Sequence, residues 1–362
     1  MQVARPTDPR LKELLKNFVC VRVVQTNGID LSLFQFDYDL TFAAFLMNAD
    51  RTIYGRYGTR SSQKDPDRDI SVQGLIAALE GALELHDDYP KSKSALVAKS
   101  GKKSRYSTPE SYPSLKTFSS RLDYDDQVAR SCIHCHMLID ADRKLDRAAK
   151  RPLSDKSLFP WPMPDLLGLT LSPKARARIE SVAPDSPARK AGFKAGDEII
   201  TLAGQPILSV ADVQWVLHNA ADRSRLKALV KRGDLQANLS LVLAAGWRRG
   251  ADISWRTSSW GLSRMALGGM RLEPLSEGAR QNKKIDKMAL LVKSVGKYGE
   301  HRTAMGAGFK KGDIILSFDG REDLMTEGAA FAHGMQKSKM GEKITVKILR
   351  GNRRLQLKLL MK

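Results

Sequence analysis

The sequence predicts an α+β chain built of several domains, and three observations point there. Its 362 residues exceed what one domain usually holds and suggest two or three. The second half contains one module twice: residues 191–205 read AGFKAGDEIITLAGQ and residues 307–321 read AGFKKGDIILSFDGR, with eight of fifteen positions identical at an offset of 116. Strand and helix periodicities alternate with turn signals in both halves. Hydrophobic residues make up 42% and charged residues 28%, which excludes wholesale disorder. No apolar run approaches the ~20 residues needed to cross a bilayer. Three cysteines exclude a disulfide scaffold.

The elements follow in order. In the N-terminal region, residues 1–89, the stretch 18–24 reads as a buried strand on which Cys20 packs. Residues 41–48 and 52–57 read as two further strands joined by the turn Asn48-Ala49-Asp50-Arg51. Residues 71–86 carry apolar side chains at 72, 75, 76, 79, 83 and 85, a helical spacing. Residues 90–121, rich in Ser, Lys, Pro and Tyr, read as a linker with little core-forming power. Residues 122–160 read as a helical CxxCH segment, in which 122–150 read as two helical pieces around Cys132–His136. The first repeat covers 161–246. Ser186 caps a short helix with Pro187 in its first turn, and Gly192 ends it at a position suited to positive φ. Gly196-Asp197 turns into a strand at 198–202. Ser209 caps a helix bearing Val210, Val213, Val216 and Leu217, and strands at 226–230 and 239–243 close the module. The second repeat covers 247–362, with a longer and less regular front between Trp260 and Leu291.

The run SPARKAGFKAGDEIITLAGQPILSVADVQWVL resembles PDZ domains of the bacterial HtrA/DegP type over nearly the whole first module. AMGAGFKKGDIILSFDGRED with ITVKILRGNRRLQLKLL is a looser match in the second. The resemblance implies PDZ-like β-sandwich or barrel modules that bind peptides or protein C-termini by strand addition. It places the carboxylate-holding loop of the first copy at Leu167, Gly168, Leu169, Thr170 and Leu171. Leu169, Leu171 and Leu217 would floor a hydrophobic pocket. Val210 and Gln214 would lie along the groove helix, the apolar Val210 favouring an apolar ligand residue third from the end. The corresponding loop of the second copy would be Leu267-Gly268-Gly269-Met270. A module used only for packing, its groove blocked, is the competing reading. FAAFLMNADRTIYGRYGTR resembles the hairpin of a thioredoxin-like α/β fold. The cis-proline expected before that hairpin is replaced by Leu40-Thr41, and the redox helix is missing, so the region reads as N-terminally incomplete. HtrA enzymes carry a serine protease domain, which nothing here resembles, and no nucleophile elbow, Walker loop or HExxH is present. Enzymatic activity stays open.

The sharpest chemical motif is Cys132-Ile133-His134-Cys135-His136, the CxxCH signature of c-type haem attachment, expected on a helical segment. Two thiols at this spacing reach both vinyl groups, and His136 becomes the axial iron ligand. Met163, between prolines in FPWPMPDLLGL, is the candidate sixth ligand, although Trp161 and Met163 also suit packing at the front of the first repeat. Two other readings remain: a dithiol pair using Cys132 and Cys135, and a zinc site made from them and a histidine, for which no second Cys pair exists.

Lys and Arg number 60 against 40 Asp and Glu, for a net charge of +20. Such a surface attracts anionic partners, among them an acidic redox partner, but no nucleic-acid motif accompanies it. The combined expectation is a redox or electron-transfer scaffold with one haem c and two peptide-docking modules. It resembles multidomain envelope proteins of planctomycete-like bacteria. Haem attachment would require a periplasmic or envelope location, and the lack of a leader sequence then suggests a truncated start. Without haem the location would be cytoplasmic. The alternatives are a pure interaction scaffold and a thiol-disulfide protein.

Overall fold

The computed structural model describes residues 6–62, 65 and 68–362. The chain divides into two compact units, Met1–Leu138 with Pro160–Arg248, and Ile139–Phe159 with Arg249–Lys362.

The first unit begins with helix α1 (Pro9–Leu15). The hairpin follows as read: β1 (Ala44–Met47) pairs antiparallel with β2 (Ile53–Tyr57). Helix α2 (Val72–Asp87) is capped by Ser71, whose side chain accepts the Gly74 N–H at 2.9 Å. Leu75, Ile76, Leu79 and Ala82 of α2 pack with Leu46, Tyr54 and Tyr57 of the hairpin. The expected strand at 18–24 is absent. Val19 is 95% and Val21 81% exposed, and Cys20 is exposed rather than packed. Val19, Val21, Val23 and Val24 supply β-propensity, but a strand also needs a neighbour for its N–H and C=O groups, and among the described residues this sheet consists of β1 and β2. The stretch read as a linker contributes buried Leu96, Tyr112 and Leu115 through short helical turns.

Helical pieces flank the CxxCH segment: one turn at Val128–Ser131, then helix α3 (His136–Ala148). The cysteines themselves lie in a turn, not on a helix, because Cys132 is extended at φ −82°, ψ 124°. The first repeat contributes β3 (Leu169–Leu171), β4 (Ile179–Val182), β5 (Glu198–Leu202), β6 (Gln205–Pro206), helix α4 (Val210–Asn219), β7 (Ser224–Arg232) and β8 (Leu235–Leu243). β3 pairs with β4, and the other four strands form a sheet in the order β6-β5-β7-β8. Leu167, Leu169, Phe193, Val213, Val216, Leu217 and Val230 build its core.

The second unit contains helix α5 (Ser259–Leu267), β9 (Met270–Pro274), β10 (Leu290–Val295), β11 (Ile314–Phe318), helix α6 (Glu327–Lys337), β12 (Lys343–Arg350) and β13 (Arg353–Leu360). The strands form one antiparallel sheet in the order β13-β12-β11-β10-β9. The later half of α3 belongs here. Arg143, 1% exposed, donates to Ser157 O and Ser258 O, and Arg147 donates to Ser338 O and Lys362 O.

One polar pin recurs in both repeats. Arg232 grips Asp197 with two nitrogens at 2.7 and 2.8 Å, and Arg350 grips Asp313 at the same two distances. Each arginine also donates to a carbonyl after the short helix, Gly192 O or Gly308 O. Burial pushes the Asp197 carboxyl up, but Arg232 and the Lys194 N–H outweigh it and hold the group below the ordinary range.

Candidate functional site

In the first repeat β3 and α4, the elements expected to flank the groove, share one core. Gly168 sits at φ +86°, and an added Cβ would lie 2.3 Å from the Ser186 side chain, so the loop needs glycine there. Its N–H donates to Asp165 O at 2.8 Å, which makes Gly168 a shaper of the loop rather than a free donor for a carboxylate. Leu169 and Leu217 are 3% and 1% exposed in the shared core, Leu171 packs at its margin, and Thr170 faces outward.

The groove is covered by the chain itself. Gln214 is 1% exposed: its Nε2 donates to Trp161 O at 3.0 Å, which turns Oε1 toward the Thr59 hydroxyl at 2.5 Å. Met163 Sδ lies 3.3 Å from the same hydroxyl, whose single proton goes to the shorter contact. Met163 is therefore part of this cover. The Trp161 ring stacks on His218 with centroids 4.5 Å apart and planes 7° apart. At the other end a narrow cleft is lined by Ser172, Pro173 and Val210 on one side and by Tyr57, Gly58 and Ile70 on the other.

A buried ionic hub holds the cover down. Asp212, on α4, accepts the Arg56 N–H at 3.1 Å and the Leu208 N–H at 3.0 Å, and pairs with Lys99 Nζ at 2.9 Å. Ser209, the helix cap, donates its hydroxyl to Arg56 O at 2.5 Å. The Arg56 guanidinium lies over the Trp215 ring at 3.7 Å, and burial pushes its pKa down to about 10. Burial lowers Lys99 too, and Asp212 opposes that shift. At Gly55 an added Cβ would meet Leu208 at 2.8 Å and Asp212 at 2.9 Å, so glycine permits the close approach of β2. The cover and the hub escape sequence reading because Thr59 and Gln214 stand 155 positions apart.

In the second repeat the equivalent space is closed differently. Glu327 opens α6 and its Oε1 accepts the Leu272 N–H of β9 at 2.7 Å. That N–H lies on the strand edge an added peptide would use. Burial raises the Glu327 pKa, against the pull of that hydrogen bond and of Arg271. Phe159, fully buried, lies against Gly328. The loop Leu267-Gly268-Gly269-Met270 is tied inward, with the Gly269 N–H on Ser263 O and the Ser263 hydroxyl on Met270 O.

The CxxCH turn is organised by Asn27, which sequence reading missed. Its Nδ2 donates to Ser119 O and Ser131 O, and its Oδ1 accepts the Ile133 N–H at 2.9 Å. Cys135 Sγ lies 3.0 Å from the Thr26 hydroxyl, and all three cysteines are free. Burial pushes the Cys135 thiol up, so it is held as the thiol rather than activated as a thiolate. The rings of His134 and His136 are nearly parallel, 5.8 Å apart. Burial lowers the His136 pKa, with Asp39 opposing, which favours neutral imidazole. No group of three or more His, Cys, Asp or Glu side chains placed to hold a metal occurs among the described residues. A cleft beside the segment is lined by Phe118, Leu122, Arg121, Arg130 and Ser131 among others.

Comparison with known proteins places the repeats. The PDZ domain family matches residues 164–243 and 281–361. A probable periplasmic serine endoprotease, DegP-like, of Pseudomonas putida (strain W619) is 27% identical over 40% of this chain and 30% of its own length. Its counterpart from Marinomonas sp. (strain MWYL1) is 26% identical over 48% and 34%. The chain thus spans about a third of the length of the curated relatives it matches. Among solved structures, the HtrA3 PDZ domain bound to a phage-derived ligand (FGRWV) is 24% identical over 20% of this chain and 76% of that one, with a TM-score of 0.18. No helix among the described residues is long and apolar enough to cross a membrane. Residues 164–243 and 281–361 of this chain are PDZ domains.

Proposed function

We propose that the chain is a PDZ docking protein whose first groove takes the C-termini of partner proteins once its cover lifts. What supports the reading is that Gln214, on α4 of the first PDZ domain, is tied to Thr59 and to the Trp161 carbonyl by side-chain hydrogen bonds that a ligand could replace. The cover is held by side-chain contacts rather than strand pairing, and β3 keeps an edge on which a peptide can add. By analogy with the DegP-like relatives, the working location is the periplasm or envelope.

A second reading concerns the CxxCH turn as a haem c site. Its support is the donor set: two free cysteines at the right spacing and, at the head of α3, a histidine held toward its neutral form. The neighbouring cleft offers Phe118 and Leu122 as apolar walls and Arg121 and Arg130 for propionates. Cys132, Cys135 and His136 would hold the group, which supplies one-electron transfer when bound. Met163, held in the groove cover, is the weaker part of that proposal. A surface of +20 would suit an acidic redox partner. The thiol-disulfide alternative is weakened by the raised Cys135 pKa.

Fluorescence anisotropy with a library of peptides ending in free apolar residues tests the docking reading. Trp161→Ala combined with Thr59→Ala should raise affinity at least about tenfold over the parent chain, and amidating the peptide terminus should abolish the gain. An uncovered variant that binds none of the peptides would end the proposal. Mass spectrometry of material from a cytochrome-maturing host decides the haem reading: an adduct on the peptide bearing Cys132 and Cys135 supports it, and a bare peptide removes it.

A further inference from the structure

The last hairpin of the second PDZ domain carries a charge pattern that neither groove nor the CxxCH turn uses. β12 and β13 pair without interruption from Lys343↔Leu360 to Arg350↔Arg353. Ile344, Val346, Ile348 and Leu359 face the core. The outward residues form four cross-strand pairs: Lys343↔Leu360, Thr345↔Lys358, Lys347↔Gln356 and Leu349↔Arg354. Every pair holds one cation, and the cations alternate between strands, so none faces another directly. The four cations are exposed, and none of the eight residues is acidic or aromatic. Glu322 acts on Lys347 and Arg354 from outside the face, but it is itself paired with Lys287 at 2.8 Å.

The matching hairpin of the first domain differs. Its outward pairs are Arg225↔Val242, Lys227↔Ser240, Leu229↔Asn238 and Lys231↔Gln236, with every cation on one strand and Lys231 also opposite Glu198.

We propose that the outer face of β12–β13 docks on an anionic phospholipid surface. Strand geometry spaces successive cations of the zigzag roughly 8 Å apart in one plane. A planar array of separated cations complements a planar array of phosphates. Leu349 and Leu360, half-buried, add apolar contact at the level of the headgroups. The face offers neither an aromatic platform for bases nor a helix for a groove, which argues against nucleic acid. Each Lys or Arg near such a surface is worth about fivefold in binding, attenuated beyond a Debye length of about 8 Å at physiological salt.

Co-sedimentation of the full chain with vesicles of phosphatidylglycerol and phosphatidylcholine tests this. Binding should require phosphatidylglycerol and fall away at high salt. Replacing Lys343, Lys347, Arg354 and Lys358 together by Gln should weaken binding more than about a hundredfold, and Lys358→Gln alone about fivefold. Replacing Arg225, Lys227 and Lys231 by Gln removes nearly as much charge and should leave most of the binding. Circular dichroism confirms that each variant folds, and the single substitution keeps the test valid if the quadruple one does not. Equal losses from the two faces, no binding to phosphatidylglycerol, or tighter binding to duplex DNA at the same salt would each overturn the proposal.

Discussion

The first PDZ domain closes its groove with residues far away in sequence, tied by a buried ion hub; the second closes its own with one carboxylate from its groove helix and one phenyl ring. In the first, Asp212 on α4 gathers Arg56, Lys99 and the Leu208 N–H, and Trp161 caps the row through His218. In the second, Glu327 reaches across to Leu272 and Phe159 lies on Gly328. The first arrangement fills the space with side-chain contacts from residues outside 164–243. The second spends the very backbone donor a peptide would need. Under the proposed docking function, the first groove is the one that opens.

Asp212→Ala should have the largest effect, because it leaves Lys99 and Arg56 buried without their anion. A loss of about 4 kcal/mol in urea unfolding is expected. A loss below about 1 kcal/mol would mean the hub does not hold the cover. Next, Arg232→Ala and Arg350→Ala should each strand a buried aspartate and lower thermal stability to similar extents, since the pin is the same in both domains. Unequal losses would break the claim of a common frame. Asn27→Ala removes three hydrogen bonds from the CxxCH turn. It should cost about 2 kcal/mol and speed the reaction of Cys135 with a thiol reagent. Unchanged thiol reactivity would show that the turn is held by other contacts.

The smallest expected effect is a pH dependence. Glu327 has a folded pKa raised above its ordinary value by burial. Between those two values the folded domain binds more protons than the unfolded chain, so stability falls as pH rises through that window. Glu327→Gln keeps an acceptor for the Leu272 N–H and removes the titration. The variant should unfold later than the parent at pH 7 and match it at pH 4. A parent chain with no such slope would place the Glu327 carboxylate in water.

Local signals were legible. The Ser186 and Ser209 caps, the Gly196-Asp197 turn and the hairpin turn at 48–51 each depend on neighbours within a few positions, and the structure shows them in place. Leu169, Val210, Gln214 and Leu217 were named as groove residues through the PDZ resemblance, but the contacts that bury Gln214 were not foreseen. A contact such as Thr59 with Gln214 leaves no period in the sequence. Residues 18–24 show the opposite error: strong β-propensity was read as a strand where no partner strand lies among the described residues. Nothing local in the sequence reveals that a strand edge lies within reach of Glu327. The CxxCH motif was plain in sequence, whereas Asn27, which shapes it, lies 105 positions before Cys132 and carries no motif.

The Asp–Arg pin, present in both domains, sits at the turn after the short helix and not in the groove. A fold braced there tolerates rewriting of its recognition face, since a Val at one copy and a Glu at the other leave the brace untouched. Duplication followed by such drift would let one chain keep a receptive module and turn its twin into a sealed spacer, with no new architecture invented.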